Sequence, residues 1–125
     1  MNLSLGNSIA VSTNFVKSNP AVPVYKGEEN LSNLYAVIYH IEIGYNESES
    51  VRTKQYIIID YKEFDLSPED KEELIQIANQ YCESKNIPKD QNLEITLLDN
   101  EEAENFLEKV FNNMKVIRGL ITKRA

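Results

Sequence analysis

The stretch from Leu34 to Tyr61 constrains the fold of this chain more than any other. It reads LYAVIYHIEIG, YNESESVRT and KQYIIIDY in succession. Two runs rich in tyrosine and β-branched residues flank a polar loop, which is the pattern of a β-hairpin. Alternation places Tyr35, Val37, Tyr39, Ile41 and Ile43 on one face of the first strand, and Gln55, Ile57, Ile59 and Tyr61 on one face of the second. Setting Ile43 opposite Thr53 brings both sets to the same side, and it pairs Glu42 with Lys54 as opposite charges across the strands. That register is the expected one. It leaves Ala36, Ile38, His40 and Glu42 against Lys54, Tyr56, Ile58 and Asp60 on the other face. The apolar centre of that second face, Ile38, Tyr56 and Ile58, calls for a cover, because a sheet covered on one side alone alternates more cleanly.

The rest of the chain supplies two helices and a third strand. Ser67-Pro68-Glu69-Asp70 is a helix start, with Ser67 as the cap and Pro68 at the first helical position. Leu74, Ile77, Ala78, Tyr81 and Cys82 recur at helical spacing, and the helix is expected to end near Lys85, with Asn86 as a left-handed cap and Pro88 beyond. Asn92 to Leu98 reads as a strand. Asp99 with Glu102 forms a capping box. The apolar stripe Ala103, Phe106, Leu107, Val110, Phe111, Met114 and Ile117 predicts a second helix that runs to about Gly119. A strand-helix-strand crossover makes the second and third strands parallel. The expected fold is therefore α+β: a two-layer sandwich in the order β-β-α-β-α, with both helices on one face of the sheet.

Residues 1–33 read as an extended or β N-terminal arm packing on the sheet, ahead of a single α+β domain at 34–125. Leu3, Leu5, Ile9, Val11 and Phe15 alternate weakly, and Pro20 and Pro23 keep the following stretch extended. A chain of 125 residues suits one domain with a modest core. It has no apolar run of membrane-spanning length, a secretory signal is not expected because no basic residue precedes Lys17, and its one cysteine, Cys82, has no partner for an internal disulfide. A cytoplasmic protein with no membrane association is expected. The formal charge of -7 argues against general nucleic-acid binding, which needs a basic footprint.

Four constellations bear on function. Acids gather at the two helix starts, Glu69, Asp70, Glu72 and Glu73 on one and Asp99, Glu101, Glu102 and Glu104 on the other. Complementarity to the helix dipole accounts for them, and a surface for a basic partner is the functional alternative. Past Glu108 the chain carries Lys109, Lys115, Arg118, Lys123 and Arg124 without an acid, which would offer a small anionic ligand a site at the basic end of the second helix. His40, the single histidine, shares its expected face with Glu42, Tyr56 and Asp60, yet no positioned nucleophile, glycine-rich phosphate loop or metal motif accompanies it. Seven tyrosines offer contact area with polar tips.

These features fit a small acidic, non-enzymatic protein-binding module without a cofactor. A stoichiometric inhibitor or an immunity-type protein of bacterial or phage origin is of this kind. Ile38, Tyr56, Ile58, Lys115, Arg118 and Arg124 are the expected binding residues, and the expected assembly is a homodimer whose interface takes in the Ile38, Tyr56 and Ile58 strip, the N-terminal arm, or both. Two other functions compete. One is a small-molecule binder, for an anion or a nucleotide, at a dimer seam or the basic helix end. The other is a small enzyme using His40.

Overall fold

A computed structural model of the chain describes residues 3–6, 9–11, 34–47, 50–61, 66–108 and 114–123. The hairpin is present: β3 (Leu34–Glu47) pairs antiparallel with β4 (Ser50–Tyr61). Its register is shifted by one residue from the expected one. Ile43 lies opposite Lys54, Gly44 opposite Thr53 and Glu42 opposite Gln55. A one-residue shift exchanges the faces of a whole strand. Ile38 and His40 therefore share a face with Ile57 and Ile59, while Tyr39 and Ile41 share the other with Ile58 and Tyr56. The strip Ile38, Tyr56, Ile58 is thus split between the two faces. Pattern alone misplaced the register because both faces of these strands are buried, so alternation hardly separates them. The charge pairing also has another solution, since Glu42 stands opposite Lys115 on a neighbouring strand.

That neighbour is β6 (Met114–Lys123), where a helix was expected. The second helix stops at Glu108. Val116, Ile117, Ile121 and Thr122 are β-branched, and Gly119 disfavours a helix, so the segment suits a strand. The spacing of Met114 and Ile117 after Phe106 mimicked a helical stripe. Val110 and Phe111 lie outside the described residues. β6 pairs antiparallel with β3, and its other edge takes two short strands of the arm, β1 (Leu3–Leu5) and β2 (Ile9–Val11). The register moves by one residue between them, as Leu5 faces Ile121 and Ile9 faces Arg118. The sheet order is β1-β6-β3-β4-β5, with β2 also on β6.

The first helix, α1 (Pro68–Ser84), forms as its sequence predicts. The Ser67 Oγ accepts from the Asp70 N–H at 3.1 Å. At the other end Lys85 is the cap residue and Asn86 takes φ 56°. The Ile87 N–H donates to the Cys82 carbonyl at 2.9 Å and the Asn86 N–H to the Glu83 carbonyl at 3.2 Å. These two bonds are the Schellman pair, and they turn buried Ile87 back onto the core. The helix leads into β5 (Leu93–Asp99), which runs parallel to β4 at one edge of the sheet. Asp99 then opens α2 (Asn100–Glu108): the Glu102 N–H donates to Asp99 Oδ1 at 2.8 Å, and the Asp99 N–H donates to Glu102 Oε2 at 3.3 Å.

The helices lie on opposite faces, contrary to the two-layer expectation. Leu74, Ile77, Ala78, Tyr81 and Cys82 of α1 pack with Ile38, Ile57, Ile59, Leu3 and Ile121. Phe106 of α2 packs with the other cluster, Val37, Tyr39, Ile41, Ile58 and Val116, and meets the Tyr56 ring edge-on at 5.4 Å. Topology gives the reason. The α1 crossover moves outward from β4 to β5, and the α2 connection returns over β4 and β3 to β6, which is parallel to both β4 and β5. Two crossovers running in opposite directions share a hand only when their helices sit on opposite faces, and the right hand is strongly preferred. An account without β6 has no return crossover and so misses the second layer of helix.

Candidate functional site

His40 sits on β3 beneath α1 and is only 6% exposed. Its Nδ1 lies 2.8 Å from the Tyr81 hydroxyl and its Nε2 lies 2.6 Å from Gln55 Oε1. With the Gln55 amide so oriented, Nε2 carries the proton and donates, and in the neutral ring Nδ1 accepts from Tyr81. The two rings meet edge-on, with centroids 5.4 Å apart. Burial, with a smaller contribution from Cys82, pushes the Tyr81 hydroxyl up to about 12. Glu42 does share the face of His40, but Tyr56 and Asp60 are on the opposite side of the sheet. His40 is thus a buried link between helix and sheet. Burial also pushes the Cys82 thiol up.

The other expected site residues are scattered. Ile38 and Ile58 are buried within the single chain, on opposite faces, and Tyr56 is half-buried against Phe106. No exposed seam can be made from these three. Lys115 is exposed on β6 and faces Glu42. Arg118 lies inside the sheet on β6, opposite Tyr39, and is 2% exposed. It is held by partners there, as is buried Asp60. The basic end of a helix does not exist at this point, so the anion site proposed on it falls away. Arg124 lies outside the described residues. Among the described residues, no His, Cys, Asp or Glu side chains gather in threes to hold a metal ion, and no helix is long and apolar enough to cross a membrane.

The acids at the helix starts do come to one end of the sheet, as both helices begin where β4 and β5 end. The Tyr61 hydroxyl is pushed up by burial, then by the nearby Asp99 and Glu102 carboxylates. Several acids of this group are structural: Asp99 and Glu102 cap α2, and Asp70 Oδ2 accepts from the Tyr35 hydroxyl at 2.9 Å. Glu73, on the next turn, accepts from the Leu3 N–H at 3.1 Å and so ties α1 to β1.

The feature missed in the sequence is the outer edge of β5. Among the described residues no strand pairs with it. The phase of its peptide groups follows from one bond, in which the Gln55 N–H donates to the Asn92 carbonyl at 2.8 Å. In a parallel ladder the N–H and C=O of one residue point to the same side, and successive residues alternate. Asn92, Glu94, Thr96 and Leu98 therefore face β4, and Leu93, Ile95, Leu97 and Asp99 face outward. The Leu93 N–H is taken by the Asp90 carbonyl at 3.1 Å and the Asp99 N–H by Glu102. Ile95 and Leu97 present both their N–H and C=O groups to the open edge.

A groove of about 620 Å³ follows this edge, lined by Tyr61, Leu66, Lys71, Ile75, Ile95, Thr96 and Leu97. Side chains of successive strand residues point to opposite faces. The groove therefore opens on the α1 face beside this strand, where Ile95 and Leu97 point, and it reaches Thr96 between them. Ile75 of α1, 40% exposed, is the one large exposed hydrophobic side chain among the described residues, and it forms the far wall. Natural edge strands are usually blunted by lysine, proline, a bulge or shortness. β5 reads LEITLLD and has no lysine, proline or glycine. The opposite edge of the sheet differs, being broken between β1 and β2 with a register change. A search for unguarded apolar strands placed at a sheet edge could have found β5, but only after β6 had fixed which strands are central.

No protein-family model matches the chain, no curated protein matches its sequence, and no solved structure matches it.

Proposed function

We propose that the chain is a non-enzymatic protein-binding module that accepts an extended segment of another polypeptide along the outer edge of β5. The observation that carries this function is the pair of open peptide groups at Ile95 and Leu97, set beside the apolar groove that ends at Ile75. Strand addition draws affinity from main-chain hydrogen bonds and specificity from pockets for alternate side chains, and this edge offers both. The groove walls, Leu66, Ile75, Ile95 and Leu97, suit an incoming strand with apolar residues on one face. His40 supports a non-catalytic function, since both its ring nitrogens are engaged inside the core.

Selection of displayed random peptides against the immobilised protein tests the proposal. The expected winners alternate apolar and polar residues and lose binding when Thr96→Lys places a charge at the edge. Selected peptides that bind Thr96→Lys as well as the parent would remove the edge from the account.

A further inference from the structure

We infer that the strand added to β5 is β5 of a second copy of this chain, paired antiparallel about a two-fold axis through Thr96. The inference rests on the strand-accepting edge proposed above and names its occupant. Among the described residues the outward N–H groups left open are those of Ile95 and Leu97, two residues apart, since those of Leu93 and Asp99 are taken. With Thr96 facing Thr96 of the second copy, Ile95 comes opposite Leu97 of the second copy, and Leu97 opposite its Ile95. Outward-facing residues that oppose each other in an antiparallel ladder exchange both N–H···O bonds. The two pairs then place all four of these N–H groups on carbonyls of the other copy.

The side chains agree with this register. Glu94 falls opposite Leu98 of the second copy and Asp99 opposite its Leu93, so no like charges meet across the seam. The axis stands perpendicular to the sheet and keeps each face continuous. Ile95 and Leu97, which pack on the α1 side, therefore bring the two grooves together on one face. Thr96 shares the opposite face with Ile58, and a threonine pair at a non-hydrogen-bonded position is favourable. An interface between identical chains is self-complementary about its axis, and β5 meets that condition with its own sequence.

Thr96→Cys provides the test, because the native Cys82 is fully buried in the core. The full chain carrying Thr96→Cys is expected to form a disulfide-linked dimer under mild oxidation, and Lys71→Cys, at the groove wall, is expected not to. By light scattering the parent should be a dimer, Thr96→Lys and Thr96→Glu alone should be monomers, and their mixture should recover the dimer. Recovery in the mixture distinguishes a charge clash at the axis from damage to the fold. A parent that stays monomeric while selected peptides still bind the edge overturns the second copy and leaves the strand-accepting edge standing. A monomeric parent, with peptides that ignore Thr96→Lys, overturns both. A dimer that persists in Thr96→Lys and gives no Thr96→Cys link places the interface elsewhere and also overturns the inference.

Discussion

The Tyr81 hydroxyl and His40 Nδ1 stand 2.8 Å apart across the seam between α1 and the sheet, and they form a buried polar link between the two. Both residues are buried, so removing either leaves the other without its partner. An unsatisfied buried polar group costs about 1–3 kcal/mol. His40→Leu and Tyr81→Phe should each lower the unfolding free energy measured in urea by that order. The double variant should lose less than the sum, because it leaves neither group orphaned. Additive losses would mean that the two side chains do not act as a pair.

Alkaline pH reports on the same link. Tyr81 titrates near 12 in the fold against about 10 for an unfolded tyrosine. Between those two values the folded chain holds a proton that the unfolded chain has lost, so stability falls as pH rises through that window. Below the lower value this group contributes no slope. Denaturant midpoints measured across the range, compared with those of Tyr81→Phe, should show the steeper alkaline fall in the parent only. Tyrosinate absorbance should lose one late-titrating step in the variant.

The ends of α1 set its length. Ser67→Ala removes the acceptor for the Asp70 N–H and should cost about 1 kcal/mol. Asn86 holds φ 56°, a conformation that glycine adopts freely and alanine resists. Asn86→Gly should melt near the parent and Asn86→Ala clearly below it. Thermal unfolding of the three variants decides the matter, and an Asn86→Ala protein as stable as the glycine form would deny the left-handed cap.

The sheet register can be read from charges. Glu42 faces Lys115 across β3 and β6, whereas Lys54 points to the opposite face. Cross-strand ion pairs contribute about 0.2–1 kcal/mol. Glu42→Lys should destabilise by that order, and adding Lys115→Glu should recover it. Adding Lys54→Glu should not. Recovery with Lys54→Glu instead would restore the hairpin register expected from the sequence.

Much of the fold was legible because local chemistry specified it. Ser67 with Pro68, Asn86 with Pro88, and Asp99 with Glu102 each marked a helix end through a bond that the backbone needs, and each occurs where its residues stand. The parallel pairing of β4 and β5 followed from the helix between them. What failed was non-local. Met114 and Ile117 continued a helical spacing that β6 interrupts, and the choice was decided by β3 offering β6 a partner. Glu42 had two lysines to choose from, and only the position of β6 selects Lys115. The candidate site was less legible still. An open edge is a property of sheet order, and Ile95 and Leu97 became candidates only when Gln55 and Asn92 fixed which way their peptide groups point.

Residue-resolved amide hydrogen exchange on β5 tests the central claim most directly. In dilute protein the Thr96 and Leu98 amides, bonded toward β4, should be protected, while those of Ile95 and Leu97 exchange fast. Raising the protein concentration, or adding an edge-selected peptide, should slow Ile95 and Leu97 and leave the phase of the other two unchanged. Ile95 and Leu97 amides that are already protected in dilute protein, or that stay fast under both additions, would contradict an edge built to accept a strand.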